Sequence, residues 1–184
     1  MPPNLAHPSS IFDLLNFRVS EFYGVSGSLV TRLCEGEFGV TREEWGFIAM
    51  LAALGPLSPS DLAAWTSVDR SQGSRTLRGL LDKKLIFRRR VAGDGRRVKV
   101  VLSAAGRELY RHGFPQVVKI HRAMLSTLNE EEIATLARCL RKMQEAATVV
   151  YGSDLVGAQA DRRHGGSRST WVEGRFDARD DPGA

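Results

Sequence analysis

Between Ser67 and Arg111 there are thirteen lysines and arginines against four aspartates and glutamates. Ammonium and guanidinium groups at that density hold phosphate, and an arginine fork can also grip a base edge. This segment carries +9 in a chain of net charge +5, so the other 139 residues sum to −4. A basic block within an otherwise slightly acidic chain is the footprint of a polyanion partner. Other chemistries find little support. His112 and His121 are nine residues apart, with no cysteine or carboxylate at ligand spacing, so no metal site is expected. No nucleophile elbow, phosphate loop or dinucleotide fingerprint occurs, which points away from an enzyme and from any cofactor. Cys34 has Arg32 nearby and no adjacent Lys or His, leaving a thiol switch as an alternative.

The elements that must position the basic residues can be read from periodicity and capping. At 184 residues and 42% apolar, the chain is bounded to one domain with accessories. Residues 1–10 hold three prolines and read as a flexible arm. Ile11 to Phe38 carries a helical apolar stripe that Gly36 and Gly39 end. Thr41 to Glu44 form a capping box, with Val40 and Trp45 placed as a hydrophobic staple. That helix stops at Gly55-Pro56. Ser58 and Pro59 start a short helix, and Asp69 caps the next one, which runs to about Lys83. Leu85–Val91 and Arg97–Ser103 are rich in β-branched residues and flank a turn over 92–96, a β-hairpin with a basic tip. Ser103 caps a long helix to about Thr127 that contains Pro115, and Asn129 to Glu132 open a last helix to about Tyr151. Residues 152–184 read as a disordered tail.

A helix pair joined by a short turn and followed by a basic hairpin predicts a mainly α fold with a small β-hairpin wing, a winged helix-turn-helix. Its second helix can enter a major groove while the wing reaches the flanking backbone or minor groove. The domain boundaries expected are 11–39 for a dimerisation helix, 40–103 for the DNA-binding domain and 104–151 for C-terminal dimerisation helices. The terminal helices are too apolar on one face to stand alone, so a homodimer is expected to cover them. The longest apolar run is too short for a membrane span, and no Lys or Arg precedes Arg18, so a cytoplasmic location is expected.

The run from Leu57 to Ala63, then Val68-Asp69, Ser74-Arg75, Leu80-Leu81 and Gly93 to Gly106, resembles the MarR family of bacterial transcriptional regulators. The most specific part is Asp94-x-Arg96 followed by a strand and Leu102-Ser-x-x-Gly106. The resemblance implies a homodimeric repressor on a pseudo-palindromic duplex, released by a small aromatic or phenolic acid. An effector-free DNA-binding regulator, or one switched by cysteine oxidation, is the alternative. It places Ser71, Gln72 and Arg75 toward the groove and Arg96 in the minor groove. Arg70, Ser74, Arg78, Arg89 and Arg97 join them as DNA-binding candidates, and Arg75 has structural pairing as an alternative role. Ser58 and Ser60 can meet phosphate or simply cap. Gln72-Gly73 departs from the family pattern; the glycine either lets backbone approach DNA or is tolerated drift. The resemblance sets the effector site in the crevice between the dimerisation helices and the winged domain, with Phe17, Arg18, Phe22, Trp45 and His112 as candidates.

Overall fold

The computed structural model describes residues 4–91, 94–153 and 155–157, with backbone alone at 91 and 94–96. The elements are α1 (Leu15–Leu33), α2 (Arg42–Leu54), α3 (Pro59–Trp65), α4 (Arg70–Asp82), β1 (Ile86–Val91), β2 (Asp94–Leu102), α5 (Ala104–Leu125) and α6 (Glu130–Tyr151). This is the winged helix-turn-helix order, with helices added at both ends.

Local chemistry sets most boundaries. Thr41 Oγ1 accepts from the Glu44 amide at 3.2 Å and Glu44 Oε2 accepts from the Thr41 amide at 2.8 Å, closing the capping box of α2. Val40 and Trp45, the staple pair, are both buried. Ser58 caps α3, Asp69 caps α4, Ser103 caps α5 and Asn129 caps α6, each through its side-chain oxygen. These bonds satisfy amides that a helix start would otherwise leave orphaned.

Three boundaries differ from the sequence expectation. The first helix is not uniform from Ile11 to Phe38. A 3-10 turn spans Ile11–Asp13, and α1 widens after Leu33 into a π turn, Cys34–Phe38, that closes at left-handed Gly39. Within that turn Cys34 is buried while Glu35 and Glu37 are exposed. The segment read as an arm is tied down from residue 4: the Asp13 carboxylate accepts from the amides of Asn4, Ser9 and Ser10. The Asn4 and Ser9 amides hold the Asp13 carboxyl at about 2, below its usual range. The second strand starts at Asp94 rather than Arg97. A register irregularity puts Arg90 opposite Val98 but Val91 opposite Asp94, absorbing residues expected in the turn. The rest of that turn, 92 and 93, and the tail from 158 lie outside the described residues, as does 154.

The core belongs to the middle of the chain. Phe47, Ile48 and Leu51 of α2 meet Leu62 of α3, Leu77 and Leu80 of α4, Ile86 of β1, and Val100 and Leu102 of β2. Leu57 pairs with Val100 through two backbone bonds of 3.3 and 2.7 Å, which moors the start of the helix-turn-helix to the wing. The terminal helices contrast with this centre. No residue of α6 is buried, and Leu136, Leu140, Met143 and Val150 stand exposed on it. Leu15, Val19, Phe22 and Leu29 are exposed on α1. Among the described residues no helix is long and apolar enough to cross a membrane.

Candidate nucleic-acid interface

The geometry of α4 follows from which of its residues the core takes. Gly73, Thr76, Leu77 and Leu80 are buried, a stripe at helical spacing. Ser71, Ser74, Arg75 and Arg78 therefore share the opposite, exposed face, with Arg70 exposed at the first turn and Gln72 half-buried on its flank. Asp69 Oδ1 accepts from the amides of Ser71 at 2.7 Å and Gln72 at 2.9 Å, so the first turn is well ordered. Gly73 points inward: a Cβ there would lie 3.1 Å from the Ala63 Cβ on α3. The glycine thus serves the close crossing of α3 and α4 and has no place at a DNA-facing surface. Both roles weighed for it from the sequence give way to this packing role.

Ser58 and Ser60 stand at the start of α3. Ser58 Oγ accepts from the Asp61 amide at 3.1 Å and shares a 2.9 Å hydrogen bond with the Ser60 hydroxyl. Its capping role is therefore present, and Ser60 is exposed beside it.

The wing separates its basic residues by face. Pairing sets Ile86 opposite Leu102, Arg88 opposite Val100 and Arg90 opposite Val98, and on the other face Phe87 opposite Val101 and Arg89 opposite Lys99. Buried Ile86, Val100 and Leu102 mark the first face as the core side. Arg89, Lys99 and, two residues before it, Arg97 lie on the outer face, all exposed. Like charges directly opposite across a ladder repel, so Arg89 and Lys99 gain from an anion laid over them. The Arg96 side chain lies outside the described residues.

The five effector candidates are not gathered at one place. Phe17 packs edge-on against Phe12 at 5.3 Å, Arg18 pairs with Glu21 at 2.8 Å, and Phe22 is exposed on α1. Trp45 is buried between Phe38, at 5.3 Å, and Tyr110, at 5.9 Å. Only His112 lines the cleft of about 490 Å³ between the π turn, Leu85 and α5; the other walls include Glu37, Phe38, Glu108, Leu109 and Gln116. No spacing in the sequence points to those residues, because the cleft forms between segments some seventy positions apart. Glu108 accepts from Arg111, at 3.0 and 2.6 Å, and lies 2.7 Å from His112 Nε2. Hydrogen bonds from Arg111 and His112 hold its carboxyl at about 2, so it is anionic at neutral pH.

Cys34 is fully buried, and desolvation, with Glu35 and Glu43 adding to it, pushes its thiol up to about 11. At pH 8 only about one molecule in a thousand would carry the thiolate that oxidants attack. A Cys139→Ser variant, which leaves Cys34 as the sole thiol, is expected to resist a thiol reagent at pH 8 until it is denatured. Labelling of the folded chain at the rate of a free thiol would contradict this burial. Among the described residues no three His, Cys, Asp or Glu side chains group as a metal site.

Residues 38–97, from the π turn through most of the wing, match the family model of the MarR family. No curated protein sequence matches the chain. A probable transcriptional regulator from Pseudomonas aeruginosa is similar at 27% identity and TM-score 0.63, covering 73% of this chain and 99% of that one. MepR of S. aureus, solved in complex with DNA, shares the fold at 24% identity and TM-score 0.65, covering 72% and 98%. BpsR of Bordetella bronchiseptica, whose DNA binding is regulated by 6-hydroxynicotinic acid, shares it at 21% identity and TM-score 0.66, covering 75% and 98%. Over residues 38–97 this chain therefore carries the winged helix-turn-helix domain of the MarR family.

Proposed function

We propose that this chain is a homodimeric, sequence-specific DNA-binding transcriptional regulator that acts as a repressor and is released by a small hydroxylated aromatic molecule. The observation that carries the reading is the exposed face of α4, where Ser71, Ser74, Arg75 and Arg78 project from a helix whose other face is locked into the core. Arg75 and Gln72 supply the fork and amide that read guanine and adenine edges. The outer face of the wing, with Arg89, Arg97 and Lys99, supplies phosphate attraction beside it. Exposed apolar side chains on α1 and α6 support the dimer, which puts two such readers on one pseudo-palindromic duplex.

The ligand reading is supported by the cleft and by one fold neighbour that answers to an aromatic acid. The lining narrows the chemistry. Arg18 is paired away with Glu21, and Glu37 and Glu108 flank the cleft, so a bare carboxylate meets repulsion there. A ring stacked on Phe38 with a phenolic hydroxyl donated to a carboxylate fits better.

Arg75→Ala tests the base-reading role. Binding should weaken by about 1–3 kcal/mol on duplexes that the wild-type protein enriches from a random-sequence pool, and little on scrambled ones. Arg89→Ala should instead weaken both alike and lower the salt slope by about 1. Equal losses on both duplexes for Arg75→Ala would remove it from base reading.

A further inference from the structure

Glu44 is a carboxylate with 4% of its surface exposed, at the start of α2. A capping box explains only part of its setting, since an exposed glutamate would close that box as well. The same oxygen that accepts from the Thr41 amide, Oε2, also accepts from Lys83 Nζ. The other oxygen, Oε1, occupies the space that a Cβ at Gly79 would fill, 2.3 Å from it. Lys83 is the C-cap of α4 and Gly79 lies in its last turn. One buried carboxylate is thereby shared between the first turn of α2 and the last turn of α4.

Two fixed points then define the axis of α4. Its N-terminal half is set by Gly73 against Ala63, and its C-terminal half by Glu44 against Gly79 and Lys83. Ser74, Arg75 and Arg78 lie between these points. A bidentate arginine contact demands correct direction as well as reach, so a small change in the tilt of α4 is felt at the base edge. We infer that the Glu44–Lys83 pair is the positioning element that holds α4 in its reading orientation, and that it sets sequence discrimination without touching DNA. This rests on the reading of α4 as the base-contacting helix.

The test compares wild type with Glu44→Gln, Lys83→Met, Lys83→Arg and the paired Glu44→Gln/Lys83→Met chain. Each is titrated against a duplex enriched by the wild type and against a scrambled one, over a salt series. Glutamine keeps an oxygen for the Thr41 amide but removes the charge that faces Lys83. The expected result is a preference for the enriched duplex reduced about tenfold in Glu44→Gln and Lys83→Met. Affinity and salt slope on scrambled DNA should stay as in wild type, and Lys83→Arg should retain most of the preference. The paired variant leaves no buried charge alone and should show the same loss even where a single variant fails to fold. Equal weakening on both duplexes with a salt slope lowered by about 1 would make Lys83 a phosphate contact and overturn the inference. An unchanged preference in the folded paired variant would reduce Glu44 to a cap and overturn it too. A wild-type protein that enriches no duplex would overturn the DNA reading itself, and the inference with it.

Discussion

Leu136→Lys together with Leu140→Lys is expected to give a folded monomer that has lost its hold on a two-half-site duplex. Both leucines lie on α6, 41% and 50% exposed, so the core of the winged domain does not depend on them. They belong to a seam, Ile133, Leu136, Leu140, Met143, Ala147 and Val150, with the alternating three- and four-residue spacing that packs helix against helix. A monomer rarely leaves such a patch in water. Two lysines in the seam place charges where the partner would have to desolvate them. Joining two reading heads makes the second engagement intramolecular, which raises avidity by about 10²–10⁴. Its loss should therefore weaken enriched-duplex binding by a factor of that order, with a monomer in sedimentation that still melts cooperatively, at a temperature lowered by the lost partner. A dimer that survives both substitutions would move the interface away from α6.

Gly106→Ala should lower the melting temperature by roughly 2–12 °C. Two effects oppose each other. Alanine favours a helix over glycine by about 1 kcal/mol. Against that, a Cβ at residue 106 would sit 2.1 Å from the Leu85 carbonyl oxygen, a backbone atom that no side-chain rotation can clear. That oxygen also accepts from the Ser103 amide at 3.0 Å, so pushing it aside loosens the junction of wing and α5. Overpacking typically costs about 1–3 kcal/mol and a weakened hydrogen bond about 1 more, so destabilisation wins. An unchanged or raised melting temperature would mean that α5 does not press on Leu85. The contact gives a physical reason for Leu102-Ser-x-x-Gly106: the strand ends in the core, the serine caps, and the glycine admits the carbonyl.

Features governed by neighbours in the chain were legible in the sequence. The caps at Thr41, Ser58, Asp69, Ser103 and Asn129 rest on a side chain reaching an amide two or three residues on, and each is present. The exposed face of α4 followed from its helical period. What the sequence did not disclose depends on packing between distant elements. Gly73 looked like a departure from the family pattern until Ala63 was seen beneath it. Glu44 read as a cap and nothing more, because Gly79 and Lys83 meet it from 35 and 39 positions away. The resemblance sets the effector candidates along one crevice, yet within the chain Trp45 is enclosed by Phe38 and Tyr110 while Phe17, Arg18 and Phe22 stay on α1. The π turn had no signature beyond its glycines.

The most direct test of sequence-specific binding by a dimer is enrichment of duplexes from a random-sequence pool by the full-length protein, followed by anisotropy titration of the enriched and scrambled duplexes. The expected result is a two-fold-symmetric motif with half-sites about one helical turn apart, bound by two protomers and at least a thousandfold more tightly than scrambled DNA. Equal affinity for both duplexes, with no motif emerging from the pool, would contradict it.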